Sequence, residues 1–266
     1  MSANVYEELF SLAGKTALVT GGAKGVGALI ARTLVRAGCR VFVTGRSREA
    51  GERFLASLPP DGGRCAYLQH DLATIDGIEA LVAELSQQGA ALDILVNNAG
   101  SFGAGEIAST GADDWDALMA LNLRTPFFLV KELLPLLTAR ASNADPARIV
   151  NIGSIGGLMP QSNGGAYAYG CSKAALHQLT RMLASDLRVR HVNVNAIAPG
   201  FFPSDMTAGF FDAVPGLEET IRQRIPAQRF GSEQDIGGMV VFLCSRAGAY
   251  LTGTVTALDG GFLGAA

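Results

Sequence analysis

Tyr169 and Lys173, in Tyr169-Gly170-Cys171-Ser172-Lys173, are the pair in this sequence best suited to moving a proton. They open a run of helical character, Ala174-Ala175-Leu176-His177-Gln178-Leu179, and residues four apart on a helix share a face with Cβ atoms about 5–6 Å apart. A free phenol has a pKa of about 10, too high for efficient proton exchange at neutral pH. An ammonium about 6 Å away, at an effective dielectric near ~20, stabilises a phenolate by about 2–3 kcal/mol, or about two pKa units. The spacing therefore predicts an acidified Tyr169 that serves as acid and base. The competing tyrosine, Tyr167, has the uncharged Cys171 four residues on and reads as a packed or half-exposed aromatic.

A second group suits a phosphate. Thr20-Gly21-Gly22-Ala23-Lys24-Gly25-Val26-Gly27 stands between an apolar, β-branched run and a helical-period segment. A strand-to-helix turn of this kind presents free backbone N–H groups, and residues without side chains let a pyrophosphate approach them. Gly14-Lys15-Thr16 imitates the end of a Walker loop, but position 9 is leucine where the first glycine belongs, so an ATP loop fails. About 20 residues beyond such glycines, dinucleotide folds that bind NAD place an acid on the ribose 2′-OH. Here Val43-Thr44-Gly45-Arg46-Ser47 has no acid, so nothing repels a 2′-phosphate and the guanidinium of Arg46 is available to bind one. Lys24 adds a second cation, and the joint placement predicts NADP(H). Taken singly, either cation reads as a solvated surface charge.

These residues need a sheet to bring them together. Runs at Thr16–Thr20, Arg40–Thr44, Ala66–Gln69, Ile94–Asn97, Arg148–Ile152, Val192–Ile197 and Thr254–Leu258 read as buried strands. Helical-period segments separate them; the first, Gly25 to Ala37, places Val26, Leu29, Ile30, Thr33, Leu34 and Ala37 on one face. Strands apolar throughout and alternating with helices predict an α/β, Rossmann-like doubly wound sheet of seven parallel strands with helices on both faces. Ser154, closing Asn151-Ile152-Gly153-Ser154, falls at the carboxyl edge where such folds bind ligands. There it can donate a hydrogen bond to a substrate oxygen, or simply cap the strand end. The stretches Pro59–Gly63 and Asn143–Pro146 are short enough to be loops, so residues 1–266 are expected to form one dinucleotide-binding catalytic domain with 1–11 as an N-terminal extension.

Composition excludes several classes. With 21 basic against 24 acidic residues and only 17% charged, the chain has no basic field for a nucleic-acid backbone or an anionic membrane. Cys39, Cys65, Cys171 and Cys244 form no CxxC pair, and His70, His177 and His191 no ligand spacing. Reduced, packed thiols and no metal are expected. The start, Met1 to Glu8, lacks a basic n-region and an apolar core, and no 18 consecutive residues are apolar, so a cytoplasmic location is expected.

With these motifs in order from about Leu12 to Phe262, the chain resembles the classical short-chain dehydrogenases/reductases. The resemblance rests on the Gly21-x-x-x-Gly25-x-Gly27 spacing, on Asn97-Asn98-Ala99-Gly100 after the fourth strand, on Tyr169 with Lys173, and on Pro199-Gly200 after the sixth strand. It implies a cofactor site that takes in Gly21, Ala23, Lys24, Gly25, Val26, Gly27, Arg46, Ser47, Asp71, Leu72, Asn98, Ala99, Gly100, Tyr169, Lys173, Pro199, Gly200, Phe202 and Ser204. Asp71-Leu72 would contact adenine and Ser204 would face the nicotinamide. It assigns Ser154 to substrate orientation and Tyr169 to proton transfer; Lys173 lowers the tyrosine pKa and holds the nicotinamide ribose. Asn122, in Ala120-Leu121-Asn122, would anchor a water-linked proton relay, or mark a helix bend. Ser154 and Tyr169 are 15 residues apart, more than is usual in the family, and Ser162-Asn163-Gly164-Gly165 is expected to supply an extra loop on the substrate side.

The run from Ala168 to Leu179 and Asn193-Val194-Asn195-Ala196-Ile197-Ala198-Pro199-Gly200 look most like β-ketoacyl reductases, particularly the rhamnolipid-pathway type. The loop Ile155 to Pro160 and the side chains Phe201, Phe202, Met206, Phe210 and Phe211 predict an apolar substrate cleft, unless they only pack a lid. A 3-oxoacyl thioester or related hydrophobic ketone is the expected substrate. The alternatives are oxidation of a secondary alcohol, steroid or polyol by the same residues, or an NADP(H)-sensing protein without turnover. The resemblance also implies a homo-oligomer, tetramer or dimer.

Overall fold

The computed structural model describes residues 4–59, 64–160, 165–203 and 216–265. Its seven strands are β1 (Thr16–Thr20), β2 (Arg40–Gly45), β3 (Cys65–Gln69), β4 (Ile94–Asn97), β5 (Ala147–Ile152), β6 (Val192–Pro199) and β7 (Val255–Leu258). They pair in the order β3-β2-β1-β4-β5-β6-β7, every pair parallel. The doubly wound sheet expected from the sequence is therefore present. β6 runs two residues past its expected end, because Pro199 pairs with Leu258 and the Gly200 N–H donates to the Leu258 carbonyl at 3.0 Å.

Alternation along each strand builds two cores, since successive side chains point to opposite faces. Ala17, Val19, Val41, Val43, Ile94 and Val96 face one layer, under α2 (Gly25–Arg36) and a late helix, Glu233–Cys244. Leu18, Phe42, Leu95 and Ile149 face the other, under α4 (Ile75–Gln87), α6 (Thr125–Thr138) and α7 (Tyr167–Leu187). Residues buried on both sides of the sheet explain why these strands read as continuous apolar runs.

The expected apolar face of α2 is corrected in detail. Ile30 and Leu34 are buried as expected, but they are joined by Gly27, Ala28 and Ala31, while Val26 and Leu29 lie at the margin of the core. Small residues let this helix lie close on the sheet. Thr33 turns instead toward the late helix, where a methyl group on Gly237 would come within 2.3 Å of its hydroxyl. The strand order reverses between β1 and β4, which opens a crevice beyond their carboxyl ends, the ligand site of this architecture.

Candidate active site

The glycine loop lies at that crevice. Gly21 and Gly25 have φ of +61° and +52°, a region that side chains with a Cβ rarely enter. The amide of Asn98 donates to the carbonyls of Thr20 at 2.9 Å and Gly21 at 3.2 Å. The N–H groups of Asn98 and Ala99 donate to the Thr20 hydroxyl at 3.0 and 2.9 Å. Asn98 and Ala99 thus brace the loop from the neighbouring strand. No side chain caps the first turn of α2, so its N-terminal N–H groups face outward as an anion cradle. A Cβ on Gly27 would stand 2.4 Å from Asn98 Nδ2 and 2.5 Å from the Gly21 carbonyl. Gly27→Ala is therefore expected to force the loop open and weaken NADPH binding by at least ~10-fold, read by fluorescence titration; unchanged affinity would show that the loop does not hold the cofactor.

Beside the loop, Arg46 and Lys24 are exposed, and neither forms a salt bridge among the described residues. The backbone that carries Arg46 is held, since its carbonyl accepts from Gln69 Nε2 at 3.0 Å and Tyr67 Oη donates to the next carbonyl, Ser47, at 2.8 Å. The Ser47 hydroxyl accepts from the Ala50 N–H at 3.1 Å and caps α3 (Arg48–Ala56). Two unpaired cations and a glycine cradle a side chain would fill suit a ligand with a pyrophosphate and a further phosphate. Asp71 is exposed at the end of β3, its carboxylate accepting from the Ala73 N–H at 3.0 Å, whereas the Leu72 side chain is buried in the second core.

Across the crevice, α7 presents Tyr169 and Lys173 to the end of β5. Ser154 caps the 3-10 turn Ile155–Gly157 by accepting from the Gly156 N–H at 3.0 Å. That bond leaves its own proton free to donate, and Ser154 lies close enough to the Tyr169 hydroxyl to favour its ionised form. Lys173 Nζ lies 5.7 Å from the centre of the Tyr169 ring and donates to the Ile152 carbonyl at 2.9 Å. A methyl on Gly100 would reach Lys173 Nζ at 3.6 Å and Asn122 Oδ1 at 3.1 Å, so the turn after β4 lies directly against both side chains. Asn122 is buried within a π-turn, Ala120–Arg124, that joins α5 (Ala112–Met119) to α6. Its amide donates to the Ser101 carbonyl at 3.0 Å and Ser172 Oγ at 3.1 Å, and its oxygen accepts from the Ser101 N–H at 2.9 Å. The structure displays a π-turn there, tied through Ser172 to the turn of α7 that bears Lys173.

One electrostatic expectation is reversed. Burial pushes the Tyr169 phenol above its usual 10, against the opposing hydrogen bond from Ser154, and burial pushes the Lys173 ammonium down to about 8. The spacing argument treated the phenolate as solvated. In a closed site, desolvation of the charged form outweighs a cation at this distance.

The apolar cleft also needs correction. Phe202 is buried in the core, where a methyl on Gly231 would meet its ring at 2.3 Å, so it offers the cofactor no side-chain surface. Phe201 packs edge-on against Phe262 at 5.3 Å and Phe230 at 6.5 Å. Both follow the packing alternative. Ser204, Met206, Phe210, Phe211 and Ser162 to Gly164 lie outside the described residues; Gly165, at the end of that loop, accepts from the Gly105 N–H at 3.2 Å. Of the thiols, Cys171 is exposed rather than packed, Cys65 is half-buried, and Cys39 and Cys244 are buried. Tyr167 is half-exposed, as expected.

Two features escaped the sequence reading. Phe102 packs edge-on against Tyr169 at 5.0 Å and is 39% exposed, an apolar wall directly beside the phenol; its signal was its place two residues after Gly100. Beneath the site, Asn97 donates to Asn151 at 2.9 Å and Asn151 to Thr180 at 2.9 Å, fastening β4, β5 and α7 together. Asparagines at the paired positions 97 and 151 of two adjacent, largely apolar strands were the sign of that ladder.

Comparison with known proteins adds to this geometry. A family profile described as enoyl-(acyl carrier protein) reductase matches residues 21–263. The chain is 44% identical over 253 residues to the rhamnolipids biosynthesis 3-oxoacyl-[acyl-carrier-protein] reductase of Pseudomonas aeruginosa, covering 95% of this chain and 98% of that protein. It is 34% identical over 248 residues to a Staphylococcus aureus 3-oxoacyl-[acyl-carrier-protein] reductase, FabG, covering 93% and 97%. The solved Pseudomonas aeruginosa RhlG/NADP active-site complex superposes with a TM-score of 0.89 at 44% identity over 96% of this chain and 98% of that one. A gluconate 5-dehydrogenase from Burkholderia cenocepacia, in complex with NADP and tartrate, superposes with a TM-score of 0.86 at 28% identity over 97% and 99%.

Proposed function

The chain belongs to the short-chain dehydrogenase/reductase family, and from that premise we propose that it is an NADP(H)-dependent ketoreductase whose substrate is a 3-oxoacyl thioester or a related hydrophobic ketone. The observation that carries this reading is the convergence of Ser154, Tyr169 and Lys173 at the end of β5, with Lys173 Nζ 5.7 Å from the tyrosine ring and bonded to the Ile152 carbonyl, and Ser154 close enough to the phenol to favour its ionised form. Residues 1–266 act as one catalytic unit, with 1–11 as an extension.

NADP(H) supplies the hydride when bound, held by the glycine loop Gly21 to Gly27, by Lys24 and Arg46 at the extra phosphate, and by Lys173 at the ribose. Asp71, Leu72, Asn98, Ala99, Gly100, Pro199 and Gly200 complete the cleft. A carbonyl oxygen would sit between the hydroxyls of Ser154 and Tyr169. Ser154 keeps its proton and orients that oxygen; Tyr169 gives its proton to the alkoxide as negative charge develops, which lowers the barrier. A raised phenol suits this direction, because the acid stays loaded at neutral pH. In reverse, deprotonated Tyr169 takes the proton of an alcohol held by Ser154, as the hydride passes to oxidised NADP. Phe102 makes the adjoining wall apolar and favours an acyl or ring ketone over a sugar.

NADPH oxidation with 3-oxoacyl thioesters, ring ketones, polyol-derived ketones and an enoyl thioester tests the reading. Turnover is expected with the oxoacyl compounds. An enoyl preference, or NADPH binding with no carbonyl turnover, would overturn it. Arg46→Ala is expected to lower the ratio of kcat/KM for NADPH over NADH by about 10–100-fold, the worth of charge-assisted hydrogen bonds to a phosphate. A wild-type preference for NADH would defeat the cofactor assignment.

No helix among the described residues is long and apolar enough to cross a membrane. Free thiols at four positions support a reducing cytoplasm. Exposed Tyr167 lines a cavity of about 380 Å³ with Leu158, Met159 and Ala174, and farther along α7 Met182 is also exposed, an apolar surface that fits a second copy of the chain. A tetramer or dimer is expected by size exclusion with light scattering, and Met182→Glu is expected to shift it toward monomer; a monomeric wild type would refute this.

A further inference from the structure

One turn beyond Lys173 on the same face of α7 stands His177, which the reaction above does not use. Its ring is 2% exposed, and neither nitrogen has a hydrogen-bond partner in good geometry, although the Gly157 backbone lies close enough to favour the protonated form. An unsatisfied buried polar group costs about 1–3 kcal/mol, and an apolar side chain would avoid that cost. Such groups in folded proteins call for an explanation, frequently a functional one.

The explanation lies in what the ring touches. A methyl on Gly153 would come within 2.1 Å of Nε2, and one on Gly157 within 2.9 Å of Cε1. These two glycines bracket Ser154. The flat imidazole fills the slot at Gly153, while at Gly157 the α7 backbone at Lys173 and Ala174 stands nearer still, at 2.6 and 2.7 Å, with the ring edge beside it; the segment that carries Ser154 is thus seated on α7, with the imidazole under its Gly153 end. The same segment is tied to α7 at Ile152 by Lys173, and its Ser154 lies beside the Tyr169 hydroxyl. Burial drives the imidazole pKa down to about 4, with Lys173 and Arg181 on its own helix opposing its charge; the facing segment Ile152–Gly157 and Ile197 of β6 bring no ionisable group. At working pH the ring is neutral and sets no charge against Lys173.

We propose that His177 is a positioning residue of the ketoreductase centre, the seat that holds the Gly153–Gly157 segment at the height where the Ser154 hydroxyl meets Tyr169. This rests on the function proposed above. A thicker side chain would lift the segment and a shorter one would let it drop.

His177→Ala and His177→Asn are each made in the wild-type and Ser154→Ala backgrounds. In the wild-type background kcat is expected to fall about 10- to 100-fold, the penalty for sub-ångström to ångström misplacement, while the NADPH dissociation constant changes less than ~2-fold. In the Ser154→Ala background the further loss is expected to be under ~3-fold, because the group being positioned is already gone. The pH midpoint of alcohol oxidation is expected to move upward, since loosening the Ser154 bond removes what favours the phenolate. The same shift is expected in an ultraviolet phenolate titration, read as the difference from Tyr169→Phe. Equal losses in both backgrounds, no loss, an unmoved titration, or unfolding of both variants would overturn the proposal. A wild type that reduces no carbonyl would defeat only the ketoreductase reading, because the phenolate titration still reports on His177.

Discussion

Tyr169→Phe is expected to lower kcat for carbonyl reduction by about 10²–10⁴-fold, the range for removing a general acid, while the NADPH dissociation constant stays within ~3-fold of wild type. The substitution deletes one oxygen and keeps the ring, so the edge-on contact with Phe102 at 5.0 Å survives. What is lost is the proton for the developing alkoxide and one of two hydroxyls at the carbonyl oxygen. Ser154 then remains capped on the Gly156 N–H, which is why the turn should not collapse. The pH dependence carries a sign. Burial holds the phenol above 10, so reduction by the wild type should be flat through neutral pH, while oxidation of the alcohol should climb toward alkaline pH as the base form appears. Near-normal turnover by the variant, or oxidation that does not rise with pH, would remove Tyr169 from its role.

The parts of this arrangement that follow from local pattern were legible in the chain. β1 and β4 were read to the residue because five and four consecutive side chains are buried on both faces, and no polar position interrupts them. The helix carrying Tyr169 and Lys173 followed from spacing alone. What spacing does not contain is the medium around the charges. The prediction of an acidified Tyr169 counted the cation at an effective dielectric near ~20 and no cost of burial; the fold closes over the phenol, and desolvation reverses the direction. The side-chain orientation of Phe202 was not legible for a related reason, because a phenylalanine after β6 can face the cleft or the core, and the room left by Gly231 turns this one inward. Long-range partners were out of reach in the same way: nothing near Asn122 in the chain announces Ser101 or Ser172.

Lys173→Met is expected to abolish efficient turnover and yet stabilise the cofactor-free protein at neutral pH. Burial moves the ammonium from 10.5 to about 8, so between those values the unfolded chain binds a proton that the native protein does not. Stability must then rise with pH from about 8 to 10.5, and at pH 7 the full penalty, on the order of 3 kcal/mol, is in force. Methionine removes that penalty in a side chain of similar length. It also leaves the Ile152 carbonyl without the 2.9 Å donor, which costs about 1–3 kcal/mol. The two nearly offset at the upper limit, so the expected gain at pH 7 lies between zero and about 2 kcal/mol in denaturant unfolding. As pH rises toward 10, the wild type recovers and the advantage shrinks to zero or reverses, whereas Tyr169, present in both proteins, cancels from the difference. A variant destabilised by the same amount at pH 7 and pH 10 would mean that the lysine is charged at no cost in the folded protein. Its role beside Tyr169 would then have to be argued from hydrogen bonding to the ribose rather than from a strained, desolvated charge.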